Sequence, residues 1–447
     1  MSPPNGEHAG EIPQRRGTTR AIIGQKKWSA TQIMDIVYRR CAGLDVHKKT
    51  VVCCRLILDE MGQPVKDIRT FGTMTADLLA LGDWLRAGQV THVAMESTGV
   101  YWKPVFNLLE GLAELLLINA KHIKFVPGHK TDVKDAQWIA ELLQHGLLKA
   151  SFIPPTPQRD LRELVRYRIH LIDERAREVN RVHKVLEDAN LKLSSVATDL
   201  MGVSAREMLE AIIAGQDDPA ALAQLAKGRM RPKIAELERA LTGRIRDSHR
   251  VLLNLHLEHI DDLNEKLVRL EAEIAAMIVP FDQDEVLTRL QTIPGVGLKV
   301  AQVIVAEVGT NMNRFPNAAH LASWAGVAPG KNESAGRNRS ARTNKANPYL
   351  RAMLVEAAQS AGHQKQTYLG AQFARLTTRR GKKRAAMAVA HSILVIAYHI
   401  IRDGTVYKDL GPAYFDQRKA DTVQDQLVKR LERLGFKVAL EPQVAAA

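Results

Sequence analysis

The chain has 447 residues, 45% hydrophobic and 25% charged, with 63 Lys and Arg against 49 Asp and Glu for a net charge of +14. This excludes a single small core and a disordered chain, and implies two or three globular domains whose positive excess raises the local concentration of a polyanion, nucleic acid foremost. The total alone fits a merely soluble basic protein as well, but residues 331–384 hold thirteen Lys/Arg against Glu333 and Glu356, +11 of the +14. Cys41, Cys53 and Cys54 lack CxxC spacing, which supports neither a disulfide framework nor a zinc site and fits a reducing cytoplasm. The most apolar run, Ala385–Ile401, is interrupted by His391 and short for a membrane span; it reads as a buried helix, and no membrane is expected.

Residues 1–36 mix Pro, Gly, Gln and basic residues without periodicity and read as a flexible basic arm. Over 37–153, CAGLDV, TVVCCRLIL and VKDIRTFGT predict three strands, the last two joined by the turn DEMGQP. A helix follows from Thr75 to Arg86, then a strand (THVAMES), a helix from Tyr101 to Leu112, a strand (AELLLINA) and a helix from Asp132 to Leu147. The order βββαβαβα is that of ribonuclease H-like α/β folds with helices packed on a mixed sheet. Stacked prolines over Ile153–Pro157 mark a linker.

Residues 158–280 predict long helices. Leu161, Leu164, Leu171, Val179, Val182 and Leu186 keep an apolar stripe, while arginines from Arg159 to Arg181, Arg162, Arg166 and Arg168 among them, crowd the other faces. Ile260, Leu263, Leu267, Leu270, Ile274 and Met277 alternate spacings of three and four, the seam of a coiled coil. Residues 187–250 read as a helical insertion. Residues 285–404 predict a mostly α-helical C-terminal domain, and 405–447 a peripheral tail of helix and strand.

If the first and fourth strands are neighbours, Asp45 and Glu96 meet at their ends, and Asp132 and Asp135, three apart, share one helix face. Four such carboxylates require cations; two Mg²⁺ or Mn²⁺ ions on hard oxygen ligands are suited to phosphoryl transfer. Plainer readings are an N-cap for Asp132 and an ion pair with Lys103 or Lys130 for Glu96. His47 beside the site reads either as a support for a ligand or as an ordinary polar residue.

In the C-terminal domain, Thr292–Gly297 reads as a helix-hairpin-helix turn in which Gly295 and Gly297 let backbone N–H groups approach a phosphate, or as a tight helix–helix turn. Pro329–Ser340 reads as a loop of small and polar residues among arginines. Arg337, Arg339, Arg342, Lys345, Arg351, Arg379, Arg380, Lys382, Lys383 and Arg384 are candidate phosphate contacts. Ser334 in that loop is either a hydrogen-bonding loop residue or a nucleophile assisted by guanidiniums.

GLDVHKKT, MESTGVYW, KTDVKDA, IPGVG and NESAGRNRSARTNKANPYLR, in this order over about 40–190 and 285–400, together resemble the insertion sequence 110 family of transposases, DEDD recombinases guided by a bridge RNA. The resemblance implies that Asp45, Glu96, Asp132 and Asp135 form the metal site of a RuvC-like domain and that Ser334 becomes joined to DNA. It further implies donor and target DNA and a guide RNA as partners, a homo-oligomer (dimer or tetramer) whose composite sites combine the serine of one subunit with the acids of another, and a cytoplasmic prokaryotic protein at the nucleoid. Sequence choice would then rest on base pairing. The chain departs from the family before residue 40 and over about 187–285, and Ser340 is the alternative nucleophile. The competing functions are a junction-resolving metal nuclease without a covalent intermediate and a non-catalytic nucleic-acid scaffold.

Overall fold

The computed structural model describes residues 35–97, 99–119, 132–330, 332–334, 337–340, 343, 346–418 and 420–440, with the backbone alone at 132, 133, 332–334, 337–340 and 421–423. All but the last two residues of the expected basic arm lie outside them. The chain divides into two compact units, 1–153 and 154–447.

In the first unit, β1 (Arg40–Val46), β2 (Thr50–Leu58), β3 (Pro64–Gly72), β4 (His92–Glu96) and β5 (Glu114–Ile118) form one mixed sheet in the order β3-β2-β1-β4-β5. β1, β2 and β3 pair antiparallel, while β4 runs parallel to both β1 and β5. Helices α1 (Thr75–Ala87), α2 (Trp102–Leu109) and α3 (Asp132–Gln144) complete the predicted order, α2 stopping short of the expected Leu112. Because side chains alternate along a strand, the central strands are apolar on both faces. Leu44, Cys53, Val93 and Met95 share a core with Leu81 of α1 and Phe106 of α2. Cys41, Cys54 and Ala94 share the opposite one with Ala136, Ile139 and Ala140 of α3.

Gly43 explains how closely α3 lies on β1. A Cβ there would stand 2.3 Å from the Ala140 nitrogen and 2.4 Å from the Ala136 oxygen, so only glycine permits the approach. The three buried cysteines are free. Burial pushes the Cys41 thiol up to about 12 and the Cys54 thiol up to about 11, so neither offers a thiolate near neutrality.

The second unit begins with α4 (Thr156–Asp188). A helical lobe follows, containing α5 (Val203–Ile213) and α6 (Ile234–Leu241), and α7 (Asp247–Ile278) then returns. α4 and α7 are antiparallel. Asp188 meets Arg246 at 2.6 Å, Glu178 meets His256 at 2.9 Å, and Arg175 donates to Asn264 at 2.7 Å, the partner number falling from 264 to 246 as the α4 number rises. Ile260, Leu263, Leu270 and Ile274 are buried as expected, whereas Leu267 and Met277 are only half-buried and Ile278 fills the last core position. On α4 the core takes Val165 in place of the expected Leu164. The lobe has its own core, Met208, Leu209, Ile212, Leu222 and Leu237, continuous with the ends of the two long helices.

Beyond the break at Pro280–Glu285, where Glu285 takes φ 53°, come α8 (Val286–Gln291), α9 (Leu298–Val308), α10 (Ala318–Trp324), α11 (Pro348–His363), α12 (Tyr368–Arg380) and α13 (Lys382–Asp403). α13, from the apolar run, meets the length and composition of a membrane-crossing helix. Ala390, Ile393, Leu394 and Ala397 along it are nevertheless fully buried in the unit's core. The described part of the tail contains helices, chiefly α14 (Ala420–Arg433), and not the expected strand.

Candidate active site

Asp45 and Glu96 end β1 and β4, and the register Leu44↔Met95 sets them side by side on strands about 4.8 Å apart. Both belong to the α3 face, since Cys41 and Ala94, an even number of residues before them, pack against α3. α3 runs antiparallel to β1: Ala136 and Ala140 lie over Gly43, and the Cys41 thiol donates to the Ala140 carbonyl at 3.7 Å. Its N-terminus, with Asp132 and the half-buried Asp135, therefore lies toward the end of the sheet that carries Asp45 and Glu96. The positive end of the helix dipole favours negative charge there.

Asp45 is buried, and its Oδ2 is 3.0 Å from His47 Nε2, which belongs to the turn closing β1 onto β2. Among the described residues no group of three or more His, Cys, Asp or Glu side chains stands ready to hold a metal. The Asp132 side chain is outside that description, as is Lys130, the proposed partner of Glu96. Asp45 and Glu96 themselves offer carboxylate oxygens, the ligand class that Mg²⁺ and Mn²⁺ take.

In the second unit, Ser334 ends β6 (Asn332–Ser334), which pairs antiparallel with β7 (Arg337–Ser340). Part of the expected loop is thus a pair of strands, with Ser334↔Arg337 and Asn332↔Ser340 at its two ends. Arg337 and Arg339 lie on β7, while Arg342 and Lys345 fall outside the described residues. Gly295 has φ 84°, and a Cβ on it would meet the Ala357 oxygen at 2.2 Å, so this glycine seats the α8–α9 turn against α11. Gly297 is open on that side, with nothing within 4 Å. Arg379, Arg380, Lys382, Lys383 and Arg384 are all exposed around Gly381 at φ 82°, and Arg351 is half-buried in the first turn of α11.

Three arginines of α4 behave otherwise, which corrects part of the expected basic face, while Arg177 and Arg181 remain exposed. Glu307 of α9 is fully buried; Arg166 approaches its Oε1 at 2.6 Å and Arg162 its Oε2 at 3.1 Å, and Asn347 donates to Oε2 at 2.6 Å. Burial pulls the Arg162 guanidinium down to about 10, against the pull of Glu307 and with repulsion from Arg166. Arg168, also buried, donates to Gln302 at 2.5 Å. Asn347 caps α11 by accepting from the Leu350 N–H, and Tyr349 lies under Arg166 at 4.7 Å and 2.9 Å from His170. The segment Asn347–Leu350 thus ties α11 to α4 and α9. The signal available in the sequence is one acid inside the apolar helix KVAQVIVAEV, since a charge so placed requires partners.

Residues 42–191 match a family model of the IS110 DEDD class described as Transposase, and residues 287–374 match one described as Transposase IS116/IS110/IS902 family. Together they cover more than half of the chain. The transposase for insertion sequence element IS1111A of Coxiella burnetii is 25% identical over 375 residues, 82% of this chain and 90% of that protein. The 43.6 kDa protein of insertion element IS110 of Streptomyces coelicolor is 28% identical over 320 residues, 64% of this chain and 74% of its own length. The transposase for IS1328 of Yersinia enterocolitica is 24% identical over 302 residues, 66% and 78% of the two chains. Two domain matches in the order of the sequence blocks, together with these relatives, show that the chain belongs to the IS110 family of insertion-sequence transposases.

Proposed function

We propose that this transposase cleaves and rejoins DNA strands with Asp45, Glu96, Asp132 and Asp135 as the carboxylates of a RuvC-like metal site and Ser334 as the nucleophile. Donor and target DNA are selected through a bridge RNA, as the resemblance of the sequence blocks implies. The observation that carries the reading is the adjacency of Asp45 and Glu96 at the ends of neighbouring parallel strands, beneath the N-terminus of α3. Such an edge gathers negative charge that a divalent cation relieves. Mg²⁺ or Mn²⁺, when bound, supplies electrostatic stabilisation of the entering and leaving oxygens.

The His47 contact holds the Asp45 carboxylate in one orientation. In the proposed step the Ser334 hydroxyl loses its proton as its oxygen bonds to phosphorus, and one phosphodiester P–O bond breaks to release a hydroxyl end. Rejoining is the reverse attack by a strand hydroxyl, which frees the serine. In the sequence Ser334 is followed by two small residues, Ala335 and Gly336, and the cations of the C-terminal domain supply positioning contacts. The acids and the serine come from different subunits of a homo-oligomer in this reading.

A suicide DNA substrate that loses its religation partner tests it. The protein becomes joined to DNA through Ser334, found by peptide mass spectrometry. Ser334→Ala abolishes the adduct and Ser340→Ala keeps it. Asp45→Asn abolishes cleavage, and mixing it with Ser334→Ala restores part of the activity through hetero-oligomers. Metal-dependent cleavage with no adduct under any trapping condition replaces the serine with water as nucleophile.

A further inference from the structure

Between α11 and α13 the second unit opens a cleft of about 1000 Å³. Arg351, Lys382 and Lys383 line it and no carboxylate does; the rest of its wall is largely apolar, with Ala352 and Val355 from α11 and Ala386 and Met387 from α13. Lys382 and Lys383 are exposed, whereas Ala386 is buried and Val355 and Met387 half-buried, so cationic and apolar surface stand side by side. Lys382, Lys383 and Arg384 fill the first turn of α13, which holds no acidic residue. Cations in that position work against the helix dipole, so their placement does not serve the helix itself.

A double helix brings phosphates and sugars to such a surface and keeps its bases stacked inside, which satisfies the cations and leaves the apolar wall wet. A strand with an unpaired nucleotide satisfies both. Its phosphates pair with the cations, and its base removes the Val355 and Met387 surface from water. The volume lies within the range that encloses ligands of nucleotide size.

We infer that this cleft receives an unpaired nucleotide of a single-stranded nucleic-acid segment, its phosphate at Arg351, Lys382 and Lys383 and its base against Val355 and Met387. The inference rests on the nucleic-acid reading of the C-terminal basic residues proposed above.

Full-length protein is irradiated with short oligonucleotides carrying one 4-thiothymidine or 4-thiouridine, as single strands and within a duplex. The single strands crosslink to the peptides holding Val355 and Met387, and the duplex does not; the two arms report whether the strand is DNA or RNA. Val355→Ala with Met387→Ala, which removes the apolar wall, weakens single-strand binding by about tenfold and leaves duplex affinity unchanged. Lys382→Ala with Lys383→Ala weakens both. Crosslinks that all map elsewhere, or equal losses for single strand and duplex with the Val355→Ala, Met387→Ala variant, overturn the inference. The crosslinking map on the wild-type chain decides the matter even if the double alanine variant does not fold. A missing Ser334 adduct with intact cleft crosslinks defeats only the serine reading, while an adduct without cleft crosslinks defeats only this one.

Discussion

In α4, Arg162 and Arg166 turn inward to Glu307 and Arg168 to Gln302, whereas Arg379, Arg380, Lys382, Lys383 and Arg384 around the α12–α13 turn all face solvent. Both stretches are rich in cations, and the fold puts them to opposite use. A buried guanidinium gives up its hydration and must find acceptors within the fold, while an exposed one keeps its water and remains free to exchange it for a phosphate. Positive charge in a sequence therefore measures nucleic-acid affinity only after the cations that the fold consumes are set aside.

Removing the acceptor gives the largest expected effect. Glu307→Ala leaves two arginines facing each other in the interior, and stability should fall by about 3–5 kcal/mol in urea unfolding followed by far-ultraviolet circular dichroism. A loss below about 1 kcal/mol would mean that water reaches these guanidiniums and that the two stretches do not differ. Changing the five exposed cations together to Ala should do the converse. Stability should move little, while DNA affinity drops and the log-log salt slope flattens by roughly 0.9 for each phosphate that is no longer neutralised. An unchanged slope places the phosphate-binding cations elsewhere on the protein.

A finer cut is Arg166→Lys, which keeps the charge but gives up the two-pronged pairing with Glu307 and the stacking on Tyr349; about 1–2 kcal/mol of stability should go, with the salt slope of DNA binding unchanged. The smallest effect belongs to His391, midway along α13. Burial holds it below its ordinary 6.5. The unfolded chain therefore takes up the proton first as pH falls, so its contribution is present above pH 6.5 and is lost as pH drops through the lower folded value. His391→Leu should flatten that part of the stability-pH curve, measured by thermal unfolding from pH 7.5 to 5, and leave DNA binding at pH 7.5 as it was.

The first unit is the more legible in the sequence. Its strands announce themselves by β-branched and apolar runs cut by DEMGQP and by helix signals, and the adjacency of Asp45 and Glu96 follows once β1 and β4 are neighbours. The second unit is harder to read because its decisive contacts are polar. An apolar stripe tells which face of α4 turns inward, but it does not tell that Arg168 joins that face, because the pairing with Gln302 is separated by 134 residues. The strand pair at Asn332–Ser340 also leaves little mark in the sequence, since NESAGRNRS has neither β-branched residues nor the alternation of a half-buried strand. His47 is, in the sequence, only a near neighbour of Asp45; the turn that closes β1 onto β2 is what sets the hydrogen bond between them.

The pair of long helices has a mechanical consequence. Glu307 grips α4 near Arg166, and the lobe core begins near Val182, about 24 Å along the rod. A tilt of roughly 5° at the grip carries the near edge of the lobe about 2 Å sideways, enough to make or break a contact there, while the grip itself barely shifts. α5 and α6 of the lobe, outside both family matches, thus sit at the long end of a lever held at its base by buried polar pairs, Glu307 and Gln302 among them.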